Sequence, residues 1–143
     1  GNAGIRKKLL EELLAGGGAV ETIIHPSAII SSDVSIGAGT VVMPGAIVNT
    51  GTAIGKGCIL NTASSVDHDC NVSDYCHVSV GAHLCGTVSI GENTWIGAGA
   101  TVVNNVDICA DCLIGAGAVV VKTIRDPGKY IGVPARIDSR HIL

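Results

Sequence analysis

One hydrophobic beat runs through the chain from residue 24 to residue 120. Ile24, Ile30, Ile36, Val42, Val48 and Ile54 stand six apart, and the series continues through Leu60, Val66, Val72, Val78, Leu84, Ile90, Ile96, Val102, Ile108 and Ile114 to Val120. These are 17 consecutive aliphatic positions without an insertion. Four residues after each comes a second column of mostly small residues, from Ala28, Val34 and Thr40 through Cys58, Ser64, Cys70 and Cys76 to Cys112, Ala118 and Ile124. No charged residue enters it. Side chains alternate faces along a strand, so positions i and i+4 can both point inward. A six-residue strand-plus-turn cannot bury its own face, and stacked neighbours must supply the core. Three such units per turn make coils of 18 residues, nearly six of them, with residues 18 apart in vertical register at one sheet spacing, ~4.8 Å. The predicted fold is an all-β parallel solenoid. Glycines 37, 55, 91, 97 and 115 directly follow the aliphatic column, where they are expected to serve tight corners.

The beat is absent at both ends. "IRKKLLEELLAGGG" reads as an amphipathic helix stopped by glycines. "RDPGKYIGVPARIDSR" reads as a turn-rich tail. The expected division is an N-terminal helix over 1–22, a solenoid over 23–125 and a tail over 126–143. Open coil ends expose unpaired strand edges, and these two flanks are the natural covers.

Composition agrees with a thin core. The 143 residues include 20 glycines, no phenylalanine and only 2% aromatics, so small and aliphatic side chains must fill the interior in a regular array. A net charge of −3 gives no basic footprint for nucleic acid. No apolar run approaches the ~20 residues of a membrane span, and no secretory leader is read at the start. The chain opens on Gly1 rather than methionine, which reads as a processed product or a fragment. The spacing of the six cysteines is not read as a disulfide framework, and no Cys-x-x-Cys pair is read among them. Four of them occupy the interior columns, where reduced thiols act as small hydrophobes. A reduced, cytoplasmic setting is expected.

Chemistry has to come from residues that break the repeat. The densest departure is "NTASSVDHDCNVSDYCHVSVGAHLCG", residues 61–86. His68 falls at a corner between Asp67 and Asp69, where it is either a carboxylate-supported base or part of a solvated polar corner. His77 and His83 precede aliphatic column residues and are expected to point outward. Gly86 is 18 residues after His68, which puts a bare N–H one rung from the imidazole, the pairing acyl transfer needs. Asn61 and His77 share a face on adjacent rungs, half a coil from His68. One site could use all of them only across subunits, and a threefold ring is the simplest closed arrangement. Trp95 is expected outside, at a subunit or ligand contact. His25 is read as a turn residue, and Cys58 and Cys76 as packed thiols.

The motifs "SIGAGT", "AIGKGC", "SIGENT", "WIGAGA" and "LIGAGA" resemble the hexapeptide-repeat family, which implies a left-handed β-helix. "ILNTASSVDHDC" with "HVSVGAHLCG", the opening "GNAGIRKKLLEEL" and "GVPAR" at 132–136 are similar to acetyltransferases that N-acetylate UDP-4-amino-sugars in the bacillosamine pathway. Sialic acid O-acetyltransferases are near relatives. The resemblance implies acetyl-CoA as co-substrate, a sugar acceptor, a homotrimer and no metal. It makes His68 the general base and Asp69 its carboxylate partner, where the family more often has glutamate. Asn61 and His77 become substrate-binding residues, and Gly86, Gly132, Pro134 and Arg136 coenzyme-binding ones. The nucleotide-binding domain that usually precedes the solenoid is represented by its last helix alone. Two other readings stay open: a zinc hydratase of the carbonic anhydrase type on His68, His77 and His83, and a non-catalytic solenoid.

Overall fold

The computed structural model describes residues 3–139; His141, read as a solvated tail residue, lies outside the described residues. Each of the 17 aliphatic beats closes a strand of two or three residues, from Ile23–Ile24 to Val119–Val120. Strands 18 residues apart pair in parallel, as in Ile23↔Val41, His77↔Trp95 and Ser65↔His83. They stack into three flat faces. Face one carries the strands of Ile23, Val41, Ile59, His77, Trp95 and Cys112; face two those of Ile29, Ile47, Ser65, His83, Thr101 and Val119; face three those of Ser35, Ala53, Asn71, Ser89 and Asp107. The solenoid and its handedness-neutral topology follow the expected period throughout.

Both inward columns form the core, with Val42 to Val120 of the first column buried. The second column is buried from Thr40 on; Thr40, Thr52 and Thr94 donate to carbonyls, whereas the Ser64 hydroxyl has no partner among the described residues. Thr52 donates to the Asp67 carbonyl (2.7 Å) and accepts from Cys70 N (3.1 Å). Cys58, Cys70 and Cys76 donate their thiols to carbonyls 15 residues on, at 3.1–3.2 Å. All six cysteines are free. The cysteine reading needs one correction: Cys109-Ala110-Asp111-Cys112 is a Cys-x-x-Cys pair. Its sulfurs lie 3.5 Å apart.

The glycine expectation also changes. Gly91 is kept small by the rung above, since a Cβ there would lie 2.6 Å from the Cys109 carbonyl carbon. The left-handed turn itself falls two residues later, at every sixth residue from Gly39 to Gly117, and seven of those residues are not glycine, Asp69, Tyr75 and Asp111 among them. Each corner tolerates them because the chain is held from below, as when Asp69 N donates to the Thr50 carbonyl (2.9 Å).

The helix Ala3–Ala15 (α1) ends as expected at its glycines, with Gly17 at φ 77 and Gly18 N donating to the Leu13 carbonyl (2.9 Å). It does not cover the open end of the first coil, where Ile23 stays 62% exposed. Instead α1 lies along the corner between faces three and one. Arg6 donates to the carbonyls of Gly57 and Tyr75 (both 2.6 Å), Lys7 pairs with Glu92 (2.6 Å), and the Tyr75 hydroxyl donates to Glu11 (3.2 Å). That corner offers carbonyls and a phenol rather than an apolar groove. Leu10 is consequently the buried member of α1, while Ile5, Leu9 and Leu13 stay exposed. The tail does act as a cover: Gly128–Ile131 extends face one beside Cys112–Ile114, and Arg136–Ile137 folds back antiparallel on it. His25 takes its turn role, accepting from Ser27 N at 3.1 Å.

Candidate active site

His68 sits on the corner between faces two and three, and its neighbours fix it from both sides. Asp67 accepts from His68 N and from the Asn49 side chain, both at 2.8 Å. Asp69 adopts the left-handed conformation (φ 56), which turns its carboxylate back so that Oδ2 lies 2.9 Å from His68 Nδ1. One rung below is Gly51, where a Cβ would overlap Asp69 Oδ1. The bond to Asp69 raises the His68 pKa above its ordinary value against an opposing desolvation, and the charges of Asp67 and Asp69 raise it further. With Nδ1–H assigned as donor to Asp69, Nε2 keeps its lone pair. It faces Gly86, where a Cβ would stand 2.5 Å from Nε2. The Gly86 carbonyl accepts from Asn105 N (3.1 Å), whereas nothing among the described residues accepts the Gly86 N–H. A proton acceptor and an unused amide donor therefore share one corner, as acyl transfer requires.

Asn61 and His77 also come together, at 3.2 Å between Asn61 Nδ2 and His77 Nε2. His77 leaves the coil outward, as expected, but is only 7% exposed. Trp95, one rung up, stacks on it with centroids 5.3 Å apart and 18° between planes. The indole is held by donation to Ser79 Oγ (2.6 Å), and remains 43% exposed on its outer side. Burial pushes the His77 pKa down to about 4, so the ring is neutral at pH 7. Its Nδ1 is buried with no partner among the described residues. A cavity of about 550 Å³ adjoins the pair, lined by His77, Trp95, Tyr75, Asn93 and, from α1, Ala3 and Gly4. Within one chain this cavity and His68 lie at different corners.

Gly86 and Asn104 follow His68 at intervals of 18, and a further 18 reaches Lys122. Lys122 follows the strand Val119–Val120, three rungs or about 14 Å along the axis above Ser65–Val66, where the coil shortens so that Ile124 bridges Ile108. Lys122 lines a cavity of about 500 Å³ with Arg125, Tyr130 and Arg136. Gly132 and Pro134 lie in the turn joining the two tail strands, where the Gly132 carbonyl accepts from Val119 N (3.1 Å). They stand beside that cavity's wall rather than in it. Adding 18 repeatedly to 68 reaches Lys122, a signal present in the sequence that motif reading passed over. Tyr75, which anchors α1, had no such signal. His83 stands on face two and bonds Ser65 Oγ at 2.7 Å. The three histidines do not converge in one chain, and no group of three metal-ligating side chains occurs among the described residues.

Residues 87–122 match the family described as bacterial transferase hexapeptide (six repeats). The perosamine N-acetyltransferase PerB of Caulobacter crescentus, solved with CoA and GDP-perosamine, has a TM-score of 0.95 and 40% identity, covering 96% of this chain and 67% of its own. This chain belongs to the hexapeptide-repeat acetyltransferase family. Its solenoid is accordingly a left-handed β-helix. The acetyltransferase domain of PglB from Neisseria gonorrhoeae, solved also with acetyl coenzyme A, is 40% identical with a TM-score of 0.94, over 95% of this chain and 66% of that one. WeeI from Acinetobacter baumannii is 30% identical with a TM-score of 0.91 over the same shares. This hexapeptide-repeat chain thus spans about two thirds of the length of these relatives. No curated protein sequence matches it.

Proposed function

We propose that this chain transfers the acetyl group of acetyl-CoA to the amine of a nucleotide-linked amino-sugar, at sites shared by the protomers of a ring of three. The observation that carries the reading is the His68 corner: Nδ1 tied to Asp69, Nε2 against Gly86, and an amide N–H there with no other acceptor. The amine attacks the thioester carbonyl carbon and its oxygen takes on charge that the Gly86 N–H stabilises. His68 Nε2 accepts the proton lost by the nitrogen, and the coenzyme leaves as its thiol once that proton is passed on. Asp69 holds the ring in the tautomer that keeps Nε2 free. No metal is used. Up the same corner, Lys122, Arg125 and Arg136 present positive charge about 14 Å away, suited to the phosphates at the far end of the coenzyme's arm; Gly132 and Pro134 shape the turn beside them. PerB and PglB are solved with CoA or acetyl-CoA, and PerB with GDP-perosamine, including forms with one histidine replaced by asparagine or alanine.

The ring rests on the outer faces. Face one presents Ile23, Val41, Ile59, Trp95 and Leu113 around His77, and face two presents Ile29, Ile47 and Val119 beside Ser65, His83 and Thr101, with Ile29 65% exposed. Face three presents Ser35, Asn71, Ser89 and Asp107. A closed ring that packs face one of each protomer on face two of the next covers these exposed aliphatic side chains and leaves face three in water. It also turns the cavity beside His77 and Asn61 toward a neighbour's His68, which completes the acceptor site. A cytoplasmic setting is part of this reading; no helix among the described residues is long and apolar enough to cross a membrane.

Coenzyme release measured against a panel of UDP- and GDP-linked amino-sugars and sialic acids tests the reading. His68→Ala should lower kcat by ~10²–10⁴ with the solenoid's circular dichroism unchanged. Equal turnover in that variant removes His68 from the reaction; release with sialic acid alone moves the acceptor from amine to hydroxyl.

A further inference from the structure

Cys109 and Cys112 span the corner from face three to face one, just below the tail; Cys112 also lines the cavity beside His77, but neither thiol has a part in the proposed His68 chemistry. The backbone between them is pinned at each step. Cys109 N donates to the Ile124 carbonyl (3.0 Å), Asp111 N to that of Glu92 (3.0 Å), and Cys112 N to Thr94 Oγ1 (3.2 Å). Asp111 in the left-handed conformation (φ 59) folds the corner so that the two sulfurs face one another at 3.5 Å. The other interior thiols are engaged elsewhere: Cys58, Cys70 and Cys76 each donate to a carbonyl of the next coil at 3.1–3.2 Å. Cys112 has only long contacts of that kind, 3.7 Å to Ala110 O and 3.8 Å to Asp126 O. Its nearest polar neighbour is the Cys109 sulfur. The pair is also asymmetric in access, because Cys112 is buried while Cys109 is partly exposed and lines a surface cavity with Thr123 and Arg125.

We propose that Cys109 and Cys112 form a reversible dithiol–disulfide pair, oxidised by small-molecule disulfides such as glutathione or coenzyme A disulfide. The Cys109 thiolate attacks one sulfur of the small disulfide, forming a mixed disulfide and releasing one thiol. Cys112 then loses its proton to solvent, attacks Cys109 Sγ and expels the second thiol. Two electrons pass from the protein thiols to one small disulfide, and two small thiols are produced. Burial, with the Cys109 sulfur adding, pushes the Cys112 thiol up to about 12. Cys112 is therefore the slow, resolving partner and Cys109 the one that meets the oxidant. The closed bridge fixes the strand Cys112–Ile114, on which the tail strand Gly128–Ile131 is laid.

The test uses the full chain equilibrated in reduced/oxidised glutathione buffers, acid-quenched, alkylated and mapped by peptide mass. The expected result is loss of two hydrogens in the peptide holding residues 109–112, reversed by dithiothreitol. It should be abolished in Cys109→Ser, which changes a partly exposed corner and leaves the core intact, and retained in Cys76→Ser. Six alkylated thiols in excess oxidised glutathione overturn the proposal, as does a stable glutathione adduct on Cys109 that never closes. Mass is read without any turnover, so failure here leaves the His68 chemistry standing, and failure of that chemistry leaves this pair standing.

Discussion

His68 divides its two nitrogens between neighbours, and each neighbour can be removed separately. Its pKa lies above the ordinary histidine value because Asp69 holds Nδ1. The proposed reaction needs neutral Nε2, so kcat/KM is expected to rise with pH through that raised pKa. Asp69→Asn weakens the support for the charged ring, which moves the rising limb to lower pH and lowers the plateau; an unmoved pH profile would leave Asp69 without its orienting role. Gly86→Ala places a methyl 2.5 Å from Nε2 and displaces the imidazole from the amide. Its kcat should fall by ~10² or more while thermal unfolding stays near that of the parent. These two positions were legible in the sequence because a period of six fixes which residues stack. The burial of His77 was not, since it depends on Trp95 leaning one rung down and on α1 returning from the chain's start. Nor was the left-handed turn at Asp69, a conformation that glycine would have announced and aspartate conceals.

At the scale of elements, the strands and corners repeat because every rung imposes the same demand on the next, and seventeen copies of one pattern can be read without knowing any contact. The helix α1 has no such redundancy. Its existence and its glycine stop were written in "KKLLEELLAGGG", but its docking rests on Arg6 finding two carbonyls at a corner, which no periodicity encodes. Arg6→Ala should free α1 and the helix-lined side of the cavity while sparing the coils. Hydrogen exchange of the α1 amides is expected to accelerate ~10-fold or more with the amides of Val66 to Val102 unaffected, because helix opening then loses two charge-assisted bonds. Equal protection of α1 in the variant would show that Leu10 and the Lys7–Glu92 pair suffice.

For the whole molecule, the proposed ring of three rests on the contrast between its outer faces. Ile47→Glu puts a charge in the middle of face two, away from His68 and from the core, and should reduce the mass seen by light scattering from three chains to one. A ring that survives it packs through other surfaces. If the site is shared between protomers as proposed, the same variant should lose acetyl transfer with assembly.

Because rung count alone sets the separation between the imidazole of His68 and the cationic rim at Lys122, the solenoid is also a ruler. Its graduations are whole coils: a change of one residue breaks the beat, whereas eighteen added between Gly86 and Lys122 would preserve every strand and lengthen the span by about 4.8 Å. Thioester donors of different arm length can thus be matched by counting turns, with the catalytic corner left untouched.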